Sequence, residues 1–298
     1  MFSLCTGASE PRPVLVLFGS GRVGSSVITE LLKDEKNQVW TTTRSGHKKK
    51  ELQNKFPNLQ VVVCDAAYVI GIENALAKSK AEVLFFTSIK NADEFISGKE
   101  IVQACKKRQI RHLVYMSQYD VDYLSKDISS ARHKLKIENL IKLPSKTYQC
   151  PYTILRPVSI ADSLPDSAVP AECGDSGSVI SGIQSKDAKV QYTTCKDIGK
   201  ATACAISDLK TWNGKTIDCV SFVATGVEIA KALSPEGNPA ARHTYNQLKP
   251  GIFRCCDSEF IAMQKYMESG VNTADIKAFE SIIGTLSVVG DLSPKFVK

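Results

Sequence analysis

The stretch that decides the fold spans residues 14–24 and reads Val14-Leu15-Val16-Leu17-Phe18-Gly19-Ser20-Gly21-Arg22-Val23-Gly24. Its first five residues are continuously apolar, as expected for a strand that is buried on both faces of a sheet. A glycine-rich hexad follows directly, and apolar residues at helical spacing come after it at Val23, Val27, Ile28, Leu31 and Leu32. A strand, a glycine turn and a helix in this succession predict a βα unit that binds a dinucleotide.

Each residue of the hexad has an expected role in that unit. Gly19 permits a tight turn, Gly21 lets a pyrophosphate approach the backbone, and Gly24 lets the helix pack closely on the strand. The helix N-terminus offers free N–H groups to phosphates, so we place Ser20 and Val23 in the same cradle. Arg22 lies in this first turn, where it either adds a positive charge for phosphate or is a solvated surface arginine.

The end of the second predicted strand distinguishes between two cofactors. An acidic residue there binds the ribose of NAD, whereas an arginine accommodates the 2′-phosphate of NADP. The chain has Thr42-Thr43-Arg44-Ser45 at this point, about 20 residues after the glycine turn, with no acid in reach. Arg44 can make a bidentate, charge-assisted contact with phosphate. The sequence therefore predicts NADP(H) as the cofactor.

Basic residues cluster just after Arg44, at His47, Lys48, Lys49 and Lys50, and contribute to the net charge of +7. Such a run can be a nucleic-acid patch or the solvated start of a helix. No DNA-reading motif or interleaved aromatic residue accompanies it. We therefore predict no nucleic-acid partner and assign Lys48–Lys50 to electrostatic steering of the cofactor.

Strand-like and helix-like segments alternate along the chain. Strands are predicted at 14–18, 38–43, 59–64, 83–87, 112–117, 152–155, 189–193 and 215–220. Helices are predicted at 23–32, 48–55, 70–78, 99–108, 134–143, 197–206 (with Asp197 as N-cap), 226–233, 257–268 and 273–283. Alternating strands and helices imply βαβ crossovers. The fold class is thus α/β, a doubly wound parallel sheet of the Rossmann type, followed by a smaller, mainly helical C-terminal region.

Composition suggests the domain boundaries. Residues 1–13 are predicted to be a flexible tail, and 14–160 the NADP-binding Rossmann domain, to which 189–222 returns. Residues 162–188 are rich in Ser, Asp, Gly and Pro, which is loop composition. We assign 161–188 and 223–298 to a substrate-binding region.

The ends of the third and fourth strands supply further candidates, because ligands of open parallel sheets lie at the carboxyl ends of the strands. Asp65 and Ala66 are predicted to contact the adenine, and Thr87 and Ser88 to border the nicotinamide half. Each of these residues could equally be a cap or a turn residue.

Other features limit the function classes. The ten cysteines include no C-x-x-C, and the four histidines form no ligand pattern with them, so neither a metal site nor a disulfide framework is predicted. Cys64 and Cys105 lie in apolar sequence, where cysteine usually acts as a small core residue. The apolar run at 14–18 is too short to cross a bilayer, and no secretory signal is recognisable. We expect a cytoplasmic protein without a membrane partner.

Three later segments carry a resemblance to a known family. They are Ile110-Arg111-His112-Leu113-Val114-Tyr115-Met116-Ser117, His133-Lys134-Leu135-Lys136-Ile137-Glu138 and Pro151-Tyr152-Thr153-Ile154-Leu155-Arg156-Pro157. Together with Asp197-Ile198-Gly199 and Gly214-Lys215-Thr216-Ile217, they resemble the NmrA-like group of atypical short-chain dehydrogenases/reductases. The resemblance implies a Rossmann domain with a small C-terminal domain that closes over the substrate cleft. It also implies that Lys134 contacts the nicotinamide ribose and acts as a general acid or base.

The chain departs from the family pattern in the glycine turn and in the catalytic residues. Phe18 stands where the group has the first glycine of its turn. Ser130 occupies the position of the superfamily's tyrosine, and Gln118 that of its serine, with Ser117 one residue away. Serine is too weak an acid to replace the tyrosine as proton donor. His133, Tyr119 and Tyr123 are local candidates for that role, although each is equally well explained as a packing or surface residue.

The sequence thus leaves two functions open. The first is an NADPH-dependent reductase of a quinone, carbonyl or similar small acceptor, with Lys134 as its catalytic residue. The second is a catalytically depleted sensor of NADP(H) that acts through a regulatory protein partner. We favour the enzyme slightly, because quinone reduction requires less of the protein than ketone reduction.

Overall fold

A computed structural model describes residues 10–88, 94–144, 148–163, 179–182, 185–234, 244–247, 262–263, 265–266, 269 and 273–292. In chain order, strands β1 to β12 are Arg12–Val16, Asn37–Thr43, Gln60–Val63, Val83–Thr87, His112–Met116, Tyr152–Pro157, Ser159–Ile160, Val179–Gly182, Val190–Thr193, Lys215–Cys219, Phe222–Ala224 and Thr244–Gln247. Helices α1 to α10 are Arg22–Leu31, Gly46–Lys55, Val69–Ser79, Glu94–Lys107, Val121–Leu124, Ser129–Lys142, Cys195–Ser207, Leu209–Trp212, Gly226–Leu233 and Ile276–Ile283.

The main sheet confirms the predicted Rossmann arrangement. Its order is β10-β6-β5-β4-β1-β2-β3, and the paired strands in it are parallel. The order reverses at β1, which lies between β4 and β2. In sheets of this kind the crevice at the reversal point is where ligands bind.

Alternate residues of the central strands enter two separate cores, which is why those strands are continuously apolar. In β1, Val14 and Val16 pack on the side of α1, α2 and α7. Leu15 faces the opposite core, which contains residues of α3, α4 and α6. Helices therefore cover both faces of the sheet, and its polar chemistry is confined to the strand ends.

Two smaller sheets lie outside the main one and were not predicted. Strand β9 pairs with β11 in antiparallel fashion and with β7 in parallel, and Tyr192 and Phe222 pack with Ile229 and Leu233 of α9. Strand β8, which falls inside the predicted loop 162–188, pairs with β12. The 257–268 helix prediction lies largely outside the described residues.

Several predicted boundaries were wrong, for tertiary reasons. Strand β1 begins at Arg12, inside the predicted tail. Helix α4 begins at Glu94, five residues before the predicted start at 99. It includes Gly98, which disfavours an isolated helix, because this position packs closely against α6. A Cβ there would be 2.8 Å from Ile137 Cγ1. Helix α7 is capped by Thr194, whose Oγ1 accepts a hydrogen bond from the Asp197 N–H at 3.1 Å, so Asp197 is not the N-cap.

Asp197 has a different role in the fold. Its buried carboxylate accepts hydrogen bonds from the Ser221 hydroxyl at 2.7 Å and the Ser287 N–H at 2.8 Å. It thereby joins α7 to the connection between β10 and β11 and to the segment that follows α10. Within the described part of the chain, no helix combines the length and apolar character needed to cross a membrane.

Candidate functional site

The glycine turn has the geometry that its spacing predicts. The Gly19 N–H donates to Thr41 Oγ1 at 3.1 Å, and a Cβ on Gly19 would collide with the Thr41 side chain. A Cβ on Gly24 would lie 2.7 Å from both Gly19 Cα and the Phe18 carbonyl oxygen. A Cβ on the exposed Gly21 would meet only the Phe18 oxygen, at 3.4 Å. Packing therefore requires Gly19 and Gly24, whereas the space above Gly21 is open for a ligand.

Phe18 has a backbone conformation that glycine adopts more easily. Its φ is 58°, in the left-handed region that favours glycine and costs other residues about 1–2 kcal/mol. Its N–H donates to Thr42 Oγ1 at 3.3 Å, and its half-buried ring packs on the α3/α4 core. These contacts hold Phe18 in this conformation at the start of the turn.

An open cavity of about 430 Å³ lies at the carboxyl ends of β1 to β4. Its lining residues are Phe18, Ser20, Gly21, Thr42, Thr43, Arg44, Cys64, Asp65, Ala66, Ala67, Tyr68, Thr87 and Ser88. The structure thus brings together seven residues predicted from strand ends and the glycine turn, namely Ser20, Gly21, Arg44, Asp65, Ala66, Thr87 and Ser88. Tyr68, which the sequence reasoning missed, is exposed at the rim.

Arg44 is exposed on the wall of this cavity, directly after β2. Ser45 caps α2, its Oγ accepting from the His47 N–H at 3.2 Å. Lys48 and His47 form ion pairs with Glu51 at 2.9 and 3.2 Å, but Arg44 forms none with any residue that the structure describes. Its guanidinium is therefore available to an anion in the cavity.

The start of α1 completes an anion-binding arrangement. Gly21 is the N-cap, and neither a side-chain cap nor an acidic residue occupies the first turn. Unsatisfied N–H groups and the positive end of the helix dipole favour an anion there. With a phosphate cradle at Gly21 and a free arginine at the end of β2, the residues present fit a dinucleotide that carries a 2′-phosphate.

Arg22 makes a long-range contact that the sequence did not predict. Its Nη1 donates to the backbone carbonyl of Asp162, which lies 140 residues away in the chain. The buried Asp162 carboxylate in turn accepts from the Cys195 N–H at 2.6 Å, at the start of α7. Arg22 therefore connects the glycine turn with the segment that follows β7.

Lys134 lies in the second turn of α6 and is not among the residues that line the cavity. Its Nζ donates to Oε1 of Glu94, a carboxylate whose side chain is 1% exposed. The Ser88 hydroxyl, on the cavity wall, donates to the same Oε1 at 2.5 Å. Lys134 is thus connected to the cavity through Glu94 and Ser88. Nothing in the sequence pointed to Glu94, because it is 40 residues from Lys134.

None of the candidate replacement donors lines the cavity. His133 Nδ1 lies 4.0 Å from Glu94 Oε2, and Tyr119 packs against the α1/α7 core. The ring of the half-exposed Tyr123 is tilted against that of Tyr266, with the centroids 5.7 Å apart. The buried Tyr115 sits behind Ser88, and burial raises the pKa of its hydroxyl far above the usual range. At neutral pH, Tyr115 is a packing residue.

The polar residues of the family-like segments form a buried network beside the site. Arg156 makes a bidentate contact with Glu138, at 3.0 and 2.7 Å, and Lys142 adds a contact at 3.0 Å. Burial alone would raise the pKa of Glu138, but the hydrogen bonds and the charge of Arg156 lower it overall. This ion pair joins α6 to β6 and fixes the helix that carries Lys134.

The cysteines of the described residues are free thiols. Partial burial and the neighbouring Asp65 raise the pKa of Cys64, so the thiol that lines the cavity is protonated at neutral pH. In the part of the chain that the structure describes, no cluster of His, Cys, Asp and Glu could hold a metal ion.

Comparisons with known proteins find one family and one fold. The model of the NmrA-like family matches residues 11–283. Triphenylmethane reductase of Citrobacter sp., solved with NADP(H), is similar with a TM-score of 0.70 at 19% identity, over 96% of this chain and 99% of that one. The NADPH-dependent quinone oxidoreductase of Escherichia coli, solved with NADPH, gives 0.70 at 19%, over 93% and 97%.

A negative transcriptional regulator is also similar to the chain. NmrA, solved with NAD, gives a TM-score of 0.68 at 16% identity, over 95% of this chain and 94% of that one. A search of curated protein sequences found no match. At these identities, the structural likeness shows a common fold for two reductases and a regulator.

Proposed function

The chain belongs to the NmrA-like family, and on that basis we propose that it binds NADP(H) in the cavity at β1 to β4 and reduces a quinone, carbonyl or similar small acceptor. When bound, the cofactor supplies the hydride. The chain holds the phosphates at Gly21 and the start of α1, and the 2′-phosphate at Arg44.

The observation that carries the cofactor preference is the environment of Arg44. It is the first residue after β2, lines the cavity and has no ion-pair partner in the described parts of the chain. A bidentate guanidinium contact matches a phosphate, whereas a ribose hydroxyl would be matched by a carboxylate. The structural neighbours solved with NADP(H) and NADPH support this choice.

The reductase is favoured over other activities because the reduction of a quinone requires little acid–base chemistry of the protein. Hydride transfer to a quinone gives a stabilised anion, so a weaker proton donor than the tyrosine is sufficient. The site offers the Ser88–Glu94–Lys134 chain in place of a tyrosine.

We include the residues after β7 (161–188 and 223–298) as the substrate-binding region, because Arg22 connects the glycine turn to Asp162.

Free thiols on several elements suit a reducing compartment, so we place the protein in the cytoplasm.

A second candidate is a sensor that binds NADP(H) without turning it over and acts through a protein partner. It is favoured by the absence of a tyrosine from the described cavity wall at the nicotinamide end, where Thr87 and Ser88 lie. The likeness to a negative transcriptional regulator supports it as well.

Titration of the protein with NADPH and NADH, followed by nicotinamide fluorescence, tests the cofactor. The Arg44→Ala variant should bind NADPH about ten- to a hundredfold more weakly, since a charge-assisted contact contributes about 1.5–3 kcal/mol, and should bind NADH as before. Arg111→Ala is the matched control, because Arg111 is exposed and paired with Glu82 at the amino end of β5. Equal loss of both cofactors in Arg44→Ala would refute the 2′-phosphate assignment.

Oxidation of NADPH with a panel of quinones and aldehydes, followed by absorbance, separates the enzyme from the sensor. We expect turnover with at least one quinone. Tight NADPH binding without turnover by any acceptor would instead favour the sensor.

A further inference from the structure

Glu94 is a buried carboxylate in the first turn of α4. Its side chain is 1% exposed. Its Oε1 receives two donors, the Lys134 ammonium and the Ser88 hydroxyl, and His133 Nδ1 lies 4.0 Å from its Oε2. A carboxylate removed from water is stable only with such partners. The cluster is therefore an ion pair that reaches the cavity wall at Ser88.

The hydrogen-bonding capacity of the Ser88 hydroxyl determines what it can offer a ligand in the cavity. Serine has one hydrogen and two lone pairs, and the hydrogen of Ser88 is directed at Glu94. In this state Ser88 offers the cavity acceptor lone pairs only. If Lys134 gives a proton to Glu94, the carboxyl group becomes a donor to Ser88, and the Ser88 hydrogen is free to turn into the cavity.

We propose that Glu94 is the positioning residue of this site: it holds Lys134 as an ammonium group behind Ser88, and the proton that completes reduction passes from Lys134 through Glu94 and Ser88. This inference deepens the proposed function and rests on it for the reaction itself. It explains how a lysine that does not line the cavity serves a reaction inside it.

The reduction needs no group beyond NADPH, the acceptor, solvent and the side chains of Ser88, Glu94 and Lys134. The acceptor takes a hydride from NADPH and becomes an oxyanion. Ser88 gives its proton to that oxygen and regains one from Glu94, which takes one from the Lys134 ammonium. Lys134, whose side chain is 14% exposed, is reprotonated by solvent. One hydride and one proton reach the acceptor, while Glu94 and Ser88 end as they began.

The pairing is tested without cofactor by competitive acetylation of lysines with acetic anhydride at pH 8, read by mass spectrometry. In Glu94→Gln, Lys134 should react several-fold faster relative to the other lysines, because its nitrogen is no longer held in an ion pair with a buried carboxylate. Glu94→Asp keeps the charge and should retain a rate close to that of the wild type. Glu73→Gln removes a carboxylate paired with Lys107 and Arg108 elsewhere and should leave the Lys134 rate unchanged. An unchanged Lys134 rate in Glu94→Gln would overturn the proposal.

Steady-state kinetics test the relay. Glu94→Gln should lower kcat for a quinone at pH 8 at least tenfold with KM for NADPH unchanged. Glu94→Asp should recover most of kcat. A loss that appears in KM alone, or an unchanged kcat, would contradict a role in proton supply.

Melting temperatures test the ion pair even if Glu94→Gln alone does not fold. Lys134→Met leaves the Glu94 charge unpaired, whereas the double variant with Glu94→Gln removes both charges. The double variant should therefore melt at a higher temperature than Lys134→Met. If Lys134→Met is as stable as wild type, the buried pair does not exist. Failure of NADPH to bind would refute the proposed function and would leave the acetylation and melting results to decide the pair.

Discussion

At the scale of single residues, His112 shows how a family-like segment stabilises the fold. Its ring is fully buried at the start of β5, with Nε2 at 2.8 Å from Thr153 Oγ1. Thr153 donates its own hydrogen to the Trp212 carbonyl at 2.8 Å, so it accepts from His112 and fixes the Nε2–H tautomer. Burial, aided by the charge of Arg12, lowers the pKa of His112 to about 4.

This lowered pKa predicts a pH dependence of stability. The unfolded chain protonates His112 near pH 6.5 and the folded protein only near pH 4, so the unfolded state binds more protons between these values. The free energy of unfolding is therefore highest, as far as His112 determines it, above pH 6.5. It falls by up to about 3 kcal/mol as the pH is lowered toward 4. Urea unfolding at pH 7.5, 5.5 and 4.5 measures it.

Variants assign that dependence to one histidine. His112→Gln should be less stable at pH 7.5 but should lose less free energy of unfolding on acidification than wild type. His47→Gln, at an exposed position on α2, should keep the wild-type dependence. If the two variants respond to acid alike, His112 is not the group responsible.

At the scale of elements, the contact between α1 and α7 holds the glycine turn in place. Gly199 lies in the middle of α7 against the backbone of α1, where a Cβ would be 2.8 Å from the Ser26 carbonyl oxygen and 3.1 Å from Glu30 Cγ. This contact packs α1, which begins at the phosphate cradle, against α7. The first residue of α7, Cys195, donates its N–H to the Asp162 carboxylate.

Gly199→Ala should therefore destabilise the protein although alanine is the better helix former. Displacing backbone costs about 1–3 kcal/mol, and helix propensity returns up to about 1 kcal/mol, so we expect a net loss of about 1–2 kcal/mol in the free energy of urea unfolding. Gly46→Ala, in α2, has nothing within 4 Å of the new Cβ and should be neutral or slightly stabilising. A stable Gly199→Ala variant would mean that α1 and α7 can separate without loss.

At the scale of the whole molecule, one cavity wall gathers residues from β1, β2, β3 and β4 and the loops that follow them. A ligand that fills this space contacts the folded chain only, because the unfolded chain has no such wall. Binding should therefore stabilise the entire sheet and not a single loop.

Thermal unfolding with fragments of the cofactor checks this and reports on Arg44. At a hundred times its Kd, 2′,5′-ADP should add about 2.7 kcal/mol, a rise in Tm of about 5 °C for a domain of this size. The same concentration of 5′-AMP, which lacks the 2′-phosphate, should raise Tm much less. Equal shifts for the two nucleotides would contradict phosphate recognition at Arg44.

The sequence by itself determined the features that depend on near neighbours in the chain. The apolar run 14–18, the alternation of strands and helices, and the spacing of Gly19, Gly21 and Gly24 predicted the parallel sheet and the turn, because periodicity and turn chemistry are local. Strand ends converge at one edge of a parallel sheet, so Arg44, Asp65 and Ser88 could be placed at one site before the structure was known.

Only the tertiary structure decided which distant groups meet. Lys134 pairs with Glu94 across 40 residues, and Arg22 with the Asp162 carbonyl across 140. Any of many carboxylates could have compensated a buried ammonium, and no local pattern marks the one that does. The sequence thus supplied the cavity and its cofactor preference, whereas the route from Lys134 to that cavity exists only because the start of α4 and the second turn of α6 are packed side by side.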